Sequence, residues 1–381
     1  MSIYLDNGAT SYPKAPGVGE AMLDYVNNVG ANVNRSTYAT ASTAAMILLD
    51  TREQLCRLFN FEDPTHVIFT PGMTAGLNML LKGFLKSGDH VIVSSMEHNA
   101  MMRPLVQLEA EGVEFSRIPA DSDGITRAED VLPLIRPNTK LVAVMHASNV
   151  CGSLLPIKEI GAICRKMNLP LILDAAQTAG HYPIDFNELG LSALCAPAHK
   201  GLLGPQGLGV MLIEKEFAKS VQPLIAGGTG SASDSEELPP YMPDRFESGT
   251  MNIPGIYGLN AALNYILETG VDSLRLHEER LTRRFLDGLK GIPVRIAGTD
   301  DISKRVGVVA VDFLFHDNAE AAFKLEQAGI LTRCGLHCAP SAHKTLGTFP
   351  QGVVRFSLGY ASTEADVDGA IAAIRSIARQ D

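Results

Sequence analysis

Hydrophobic and polar positions alternate along this chain in a way that predicts strands and helices in regular succession. Short apolar runs predict buried strands near residues 66–70, 89–95, 113–118, 141–145, 171–173 and 193–197. Segments with helical periodicity precede and separate these strands, at 17–28, 40–60, 105–112 and 125–135. Two more predicted helices begin near Thr74 and end near Met167, respectively. Strands and helices therefore alternate from 66 to 213, which predicts an α/β fold with a mostly parallel sheet.

The pattern changes after residue 226. A stretch rich in glycine, serine and proline covers residues 227–240 and predicts a loop. Beyond it, residues 255–290 have a helical pattern, strands are predicted at 306–313 and 353–358, and helices at 318–328 and 364–378. We therefore predict a large domain over residues 16–255. Residues 1–15 and 256–381 are predicted to form a smaller α+β domain.

Composition narrows the class of protein. The chain has 381 residues, 46% of them hydrophobic, so it can bury a large core. Its net charge of −10 argues against a nucleic-acid or acidic-membrane surface. We see no secretory signal and no apolar run long enough for a membrane span. Six cysteines without a paired framework fit a reducing compartment, so we expect a cytoplasmic protein.

Two predicted strands end in groups that suggest a cofactor. Asp174 follows the apolar run 171–173, and His199 and Lys200 follow the run 193–197. Open α/β sheets bind ligands where their parallel strands end. Pyridoxal 5'-phosphate (PLP) needs a lysine for its Schiff base and an acid beside its pyridinium nitrogen. Taken alone, each feature is more often a turn residue or a surface pair, and that alternative stays open at this point.

Other candidate residues fall at similar positions. Thr74 begins a predicted helix, whose N-terminus favours phosphate, although a plain N-cap explains it equally well. His98 follows a strand and could lie flat on a cofactor ring or simply cap a helix. Asn149 and Gln177 carry amides that could reach a ring hydroxyl. A zinc site is an alternative near the C-terminus, with the candidate ligands Cys334, His337, Cys338 and His343.

The candidate motifs follow one order along the chain. They are Phe69-Thr-Pro-Gly-Met-Thr74, Met96-Glu-His98, Ser148-Asn149, Asp174-Ala-Ala-Gln177, His199-Lys200 and Arg245-Phe-Glu-Ser-Gly-Thr250. With this set the chain resembles the class V aminotransferase-type, fold-type I PLP enzymes, and within them the cysteine desulfurases. The resemblance runs from Leu5-Asp-Asn-Gly-Ala-Thr10 to Arg355-Phe-Ser-Leu-Gly-Tyr360.

The resemblance implies a role for each candidate residue. Lys200 would hold PLP and shuttle protons, and Asp174 would keep the pyridine nitrogen protonated. His98 would stack on the cofactor ring and take part in catalysis. Thr74, Ala75 and His199 would bind the phosphate, and Asn149 and Gln177 would contact the ring oxygen. Arg355, with Asn149, would bind the substrate carboxylate. Thr250 would reach the phosphate of a partner subunit, which implies a homodimer. Read alone, Arg355 could equally be a surface arginine at a strand edge.

The segment Thr332-Arg-Cys-Gly-Leu-His-Cys-Ala339 is similar to the catalytic-cysteine segment of group II desulfurases. By that resemblance Cys338 would attack the sulfur of PLP-bound L-cysteine and become a persulfide, leaving L-alanine. We expect Arg333 and His337 to favour the thiolate. A sulfur-acceptor protein would then take the sulfur.

Several features depart from that family or leave the function open. Pro197 stands where a serine or threonine is usual, Asn34 stands where a histidine is frequent, and the loop before Arg245 is short. Cys334 could resolve the persulfide as a disulfide or be a bystander. Selenocysteine lyase, with selenocysteine as substrate, shares all these residues. A PLP transaminase or epimerase of the same fold is a further alternative, as is a PLP-free scaffold that only binds a partner.

Overall fold

The computed structural model describes residues 2–33 and 38–379. The α-helices are α1 (Val18–Asp24), α2 (Ala39–Phe59), α3 (Met73–Phe84), α4 (Asn99–Glu109), α5 (Ile157–Met167), α6 (Phe186–Leu189), α7 (Lys215–Ser220), α8 (Ile253–Thr269), α9 (Val271–Leu289), α10 (Asn318–Gln327), α11 (Pro340–Thr345) and α12 (Glu364–Ala378). The strands are β1 (Ile3–Tyr4), β2 (Val67–Thr70), β3 (His90–Ser94), β4 (Glu114–Ile118), β5 (Thr139–Met145), β6 (Leu171–Asp174), β7 (Ala193–Pro197), β8 (Gly209–Ile213), β9 (Val294–Ala297), β10 (Val308–Phe313), β11 (Ile330–Leu331), β12 (Arg333–Gly335) and β13 (Val353–Ser357).

The larger sheet has seven strands in the order β2-β8-β7-β6-β5-β3-β4. Only β8 runs antiparallel to its neighbours β2 and β7, so the sheet is mostly parallel, as the sequence predicted. The strands β5, β6 and β7 therefore end at the same edge. This edge is where the polar residues that follow the apolar runs come together.

Both faces of the large sheet are buried, which explains the uninterrupted apolar runs. In β6, Leu171 and Leu173 belong to one hydrophobic cluster and Ile172 to another. Successive side chains of a strand point to opposite faces, so a strand covered on both faces needs an apolar residue at every position.

The C-terminal part forms an antiparallel sheet of four strands in the order β12-β13-β10-β9. A separate hydrophobic cluster joins it to α9, α10 and α12. The first strand, β1, pairs in parallel with β11, so the N-terminus joins this smaller unit. Helix α8 packs on α1 and α2 of the larger unit. The division of the chain at residue 255 stays a prediction.

Three predicted elements differ in the structure. Residues 125–135 were expected to form an α-helix, but the structure has a 3₁₀ segment, Ala128–Leu134, which contains Pro133. Proline has no N–H and disfavours the interior of an α-helix. The predicted helical stretch 255–290 breaks at Gly270, whose φ of 84° lies in the left-handed region. Helix α4 begins at Asn99, earlier than predicted, because His98 caps it.

No helix among residues 2–33 and 38–379 has the length and apolar character needed to cross a bilayer. Asn34, one of the departures noted in the sequence, lies outside the described residues.

Candidate active site

A cavity of about 380 Å³ lies at the edge where the parallel strands of the large sheet end. Its size falls within the range of small-molecule sites. Seven of the predicted site residues line it together: Thr74, His98, Asn149, Asp174, Gln177, His199 and Lys200. The strand ends and the start of α3 and α4 deliver these side chains from distant parts of the sequence.

Asp174 is the last residue of β6 and is only 3% exposed. Its Oδ1 accepts a hydrogen bond from the N–H of Ala176 at 2.9 Å. Burial raises the pKa of Asp174 to about 6, while the Ala176 N–H and the charge of Lys200 act in the opposite direction. A cationic nitrogen placed beside this carboxylate would relieve the cost of its burial.

Lys200 follows β7, and its burial lowers the pKa of the amine to about 8. Asp174 opposes that shift, whereas the charges of Arg355 and Arg333 lower the pKa further. A lysine must lose its proton to act as a nucleophile or a base, so this environment prepares it for either task.

His98 caps helix α4, and its Nδ1 accepts a hydrogen bond from the N–H of Ala100 at 3.0 Å. Burial, with the nearby charge of Lys200, lowers the pKa of His98 to about 4. The imidazole is therefore neutral at physiological pH. Because Nδ1 is the acceptor, the ring proton is on Nε2. A neutral ring of this kind can stack on an aromatic cofactor.

The N-terminus of α3 and His199 form one side of the cavity. Thr74 occupies the first turn of that helix, whose unpaired N–H groups attract anions. Ala75 and Thr250 line a neighbouring cavity of about 410 Å³ instead. Thr250 was expected to serve a partner subunit rather than its own chain.

Two buried polar atoms at the cavity of about 380 Å³ have no hydrogen-bond partner within the described part of the chain. They are Oδ1 of Asn149 and Nδ1 of His199. Such groups are rare in folded proteins unless a ligand or water satisfies them. Together with a buried acid, a lysine of lowered pKa and a helix N-terminus, they fit PLP.

Arg355 lies on β13 and is 1% exposed, so the alternative of a surface arginine at a strand edge is wrong. β13 is an inner strand, between β12 and β10. The Nη2 of Arg355 lies 2.6 Å from Oδ1 of Asp6, and its Nη1 donates to the carbonyl of Asn149 at 3.1 Å. Asp6 thus fixes the guanidinium, which is suited to a carboxylate ligand.

Cys338 is exposed and sits on a loop whose backbone is anchored beside His98. The N–H of Asn99 donates to the Cys338 carbonyl at 2.7 Å, and the amide of Asn149 donates to the His337 carbonyl at 2.8 Å. Cys338 and His337 have φ values of 58° and 47°, which non-glycine residues rarely adopt. Backbone strain of this kind concentrates at functional sites.

The expected help from His337 to the thiolate is not supported. Burial, reinforced by the charge of Arg355, lowers the pKa of His337 to about 2, so its ring carries no positive charge. Its Nε2 lies 3.2 Å from the carbonyl of Val353 and donates to it. Arg333 remains the cationic candidate, because its charge reaches the cavity, where it lowers the pKa of Lys200 and of His98.

The two alternatives that involve Cys334 are also weakened. This side chain packs against the hydrophobic cluster of the smaller unit, on the opposite face of β12 from Arg333. Within residues 2–33 and 38–379 no group of three or more His, Cys, Asp or Glu side chains is arranged to hold a metal. The geometry therefore supports neither a disulfide partner for Cys338 nor the zinc site.

Sequence reasoning missed two acidic residues. Asp6 belongs to the first motif, in which the resemblance gives it no role, and it pairs with Arg355 across 349 positions. Glu97 stands beside His98 and is fully buried, with Oε1 accepting the N–H of Met145 at 3.0 Å and the hydroxyl of Ser94 at 2.6 Å. A charged residue three positions after the end of an apolar strand was the available signal for Glu97.

The sequence profile of the family described as "Aminotransferase class-V" matches residues 3–369. The chain belongs to this family. It is 32% identical over 374 residues to a probable cysteine desulfurase of Halalkalibacterium halodurans, with 96% of this chain and 90% of the relative covered. It is 33% identical to a probable cysteine desulfurase of Pyrococcus abyssi, with 93% and 89% covered.

A solved structure is similar over the whole chain. The apo structure of a cysteine desulfurase from Thermococcus onnurineus superimposes with a TM-score of 0.93 at 30% identity, covering 99% of this chain and 95% of the other. These comparisons confirm the sequence-based prediction of a fold-type I enzyme of the cysteine desulfurase type.

Proposed function

We propose that this protein is a PLP-dependent cysteine desulfurase that converts L-cysteine into L-alanine and carries the sulfur as a persulfide on Cys338. The observation that carries the proposal is the placement of the Cys338 loop. Hydrogen bonds from Asn99 and Asn149 to carbonyl groups of this loop hold the exposed Cys338 thiol beside the cavity that Asp174 and Lys200 line.

We assign the PLP site to residues that line this cavity and to Ala75, which lines the neighbouring one. Lys200 would bind the aldehyde, Asp174 the pyridine nitrogen, and Thr74, Ala75 and His199 the phosphate. The neutral ring of His98 would stack on the pyridine, and Asn149 and Gln177 would approach the ring oxygen. When bound, PLP supplies an electron sink for the substrate's Cα.

Arg355 would hold the substrate carboxylate through its planar donors, in an orientation that Asp6 fixes. The neutral amine of Lys200 would then remove the Cα proton. The thiolate of Cys338 would attack the substrate Sγ, so that an S–S bond forms while the Cβ–Sγ bond breaks. The electron pair of the broken bond stays on Cβ, which is then protonated. Cysteine and the enzyme thiol thus give alanine and the enzyme persulfide.

The remaining assignments complete the proposal. Thr250 and Ala75 line a cavity next to the PLP site, which would suit a phosphate shared across a homodimer. The exposure of Cys338 would let a sulfur-acceptor protein reach the persulfide. The free cysteines fit the cytoplasm.

The decisive test mixes PLP-loaded protein with L-cysteine and a reductant and quantifies alanine and sulfide. Wild type should release both in equal amounts, and Cys338→Ser should release neither. Cys334→Ser is the matched control, because that thiol faces away from the site, and it should behave as wild type. Equal output from the Cys338→Ser variant would refute the assignment of Cys338. Faster turnover of selenocysteine than of cysteine would indicate a selenocysteine lyase instead.

A further inference from the structure

A buried ion pair lies behind the PLP-binding lysine. Nδ1 of His181, which follows β6 in the larger unit, is 3.0 Å from Oε2 of Glu278 on helix α9. Their side chains are 15% and 10% exposed. The proposed reaction does not use either residue. The pair joins the two units of the chain close to Lys200.

Two small cavities meet at this pair. The inner cavity, of about 30 Å³, is lined by Lys200, His181 and Glu278 together with Ser11 and Ser357. Polar side chains border this space, although leucine and valine side chains line it as well, and it is large enough for a water molecule.

The outer cavity, of about 50 Å³, lies on the other side of the pair. His181 and Glu278 line it as well, and so do Arg275, Glu279 and the exposed Ser303. The Glu278 carboxylate therefore borders both a space that contains Lys200 and a space that reaches the surface.

Close packing fixes the geometry of the pair. The ring of His181 lies on the backbone of Gly201, where a Cβ atom would come within 2.3 Å of its Cδ2. Gly307 approaches the carboxylate in the same way, since a Cβ there would be 3.1 Å from Oε2 of Glu278. Burial alone would lower the pKa of His181, but the Glu278 carboxylate raises it above the usual value. The carboxylate therefore favours the protonated form of His181, and the 3.0 Å contact between the two side chains holds Glu278 in place.

We propose that the Glu278 carboxylate exchanges protons between Lys200 and solvent through water in these two cavities, with His181 as the residue that positions it. The proposal rests on the role of Lys200 as the base at Cα. Once substrate fills the main cavity, the Lys200 ammonium is shielded on that side. A proton then passes from Nζ to water, from water to Glu278 and on to the outer cavity, and a solvent proton returns by the same route. No electrons are transferred.

The first experiment follows a deuterium label at Cα. PLP-loaded protein is given L-[2-²H]cysteine in ordinary water, and mass spectrometry measures how much of the alanine keeps its label. In wild type the label should be washed out during turnover. Glu278→Gln keeps the hydrogen bond to His181 but cannot relay a proton. This variant should raise the ratio of retained to exchanged label roughly tenfold. That effect is smaller than the one expected on removal of a residue that itself transfers the proton at Cα.

The neighbouring Glu279→Gln is the matched control, because Glu279 borders only the outer cavity, and it should match wild type. Glu278→Asp restores a carboxylate and should restore most of the exchange, which a purely structural role for Glu278 would not predict. Equal label retention in Glu278→Gln and wild type would overturn the proposal.

A second assay separates this proposal from the desulfurase assignment. The same proteins are incubated with L-[2-²H]alanine, whose loss of deuterium needs only PLP and Lys200. If wild type makes no alanine from cysteine, the desulfurase proposal fails, while slower washout in Glu278→Gln still supports the relay. An absence of washout in wild type would contradict the relay. A crystal structure that resolves water gives a readout independent of turnover, and a dry inner cavity would also refute the relay.

Discussion

Glu97 offers a sharp test of the electrostatics beneath the active site. Its Oε1 receives hydrogen bonds from the Ser94 hydroxyl and the Met145 N–H, whereas its Oε2 is buried with no partner in the described residues. Burial raises the pKa of Glu97 from 4.5 to about 8, and the nearby charge of Asp174 acts in the same direction. Glu97 is therefore a neutral acid at physiological pH, and Glu97→Gln should imitate it.

The sign of the pH effect follows from the raised pKa. The folded protein holds the Glu97 proton more tightly than the unfolded chain does. The contribution of this proton to the free energy of unfolding is therefore complete below about pH 4.5 and is lost as the pH rises through about 8. Between about pH 5 and about pH 8 the loss amounts to roughly 4 kcal/mol, at about 1.4 kcal/mol per pH unit. Glutamine cannot ionise, so the variant should lack this loss.

The assay is urea denaturation of the cofactor-free wild type and Glu97→Gln protein at several pH values. The free energy of unfolding of the variant, relative to wild type, should rise with pH by up to that amount. Glu109→Gln, an exposed change at the end of α4, is the control and should show no such trend. A difference between Glu97→Gln and wild type that stays constant with pH would refute the reasoning.

Two further predictions concern other buried charges. Glu247→Gln should lower the free energy of unfolding by roughly 3–5 kcal/mol, because it leaves the buried Arg52 guanidinium, 2.7 Å away, without its charged partner. Glu216→Gln, in an exposed pair, should change it little, and equal losses in urea denaturation would contradict this. Arg355→Lys should raise the KM for L-cysteine roughly ten- to hundredfold, since one charge-assisted hydrogen bond contributes about 1.5–3 kcal/mol. Arg295→Lys, on the outer strand β9, is the control, and an unchanged KM in Arg355→Lys would refute the assignment of the substrate carboxylate.

The strands that build the large sheet could be predicted because burial on both faces leaves a strong local signal. The apolar run before Asp174 and the run before Lys200 gave the positions of two strand ends. Parallel strands bring such ends to one edge, so the sequence also predicted which side chains would meet. The ordered motifs then supplied the family resemblance that predicts PLP as the cofactor.

Long-range pairs could not be predicted from the same signals. The contacts between Asp6 and Arg355 and between His181 and Glu278 join residues that are far apart in sequence, and nothing near either partner indicates the other. The charge state of His337 depends on burial and on Arg355, which only the folded structure shows. Helical periodicity likewise gave no sign of the break at Gly270.

The pairing of β1 with β11 also orders events during synthesis of the chain on the ribosome. Residues 3–6 emerge first, yet their partners, β11 and Arg355, emerge near the end. The large sheet can form while those partners are still being made, since domains generally fold as units and N-terminal regions fold first. A nascent chain that stops before β13 would therefore have the cavity lined by Asp174 and Lys200 but would lack Arg355, the residue that we propose holds the substrate carboxylate. Under that proposal, the chain would gain its ability to bind the amino acid only in the last steps of translation.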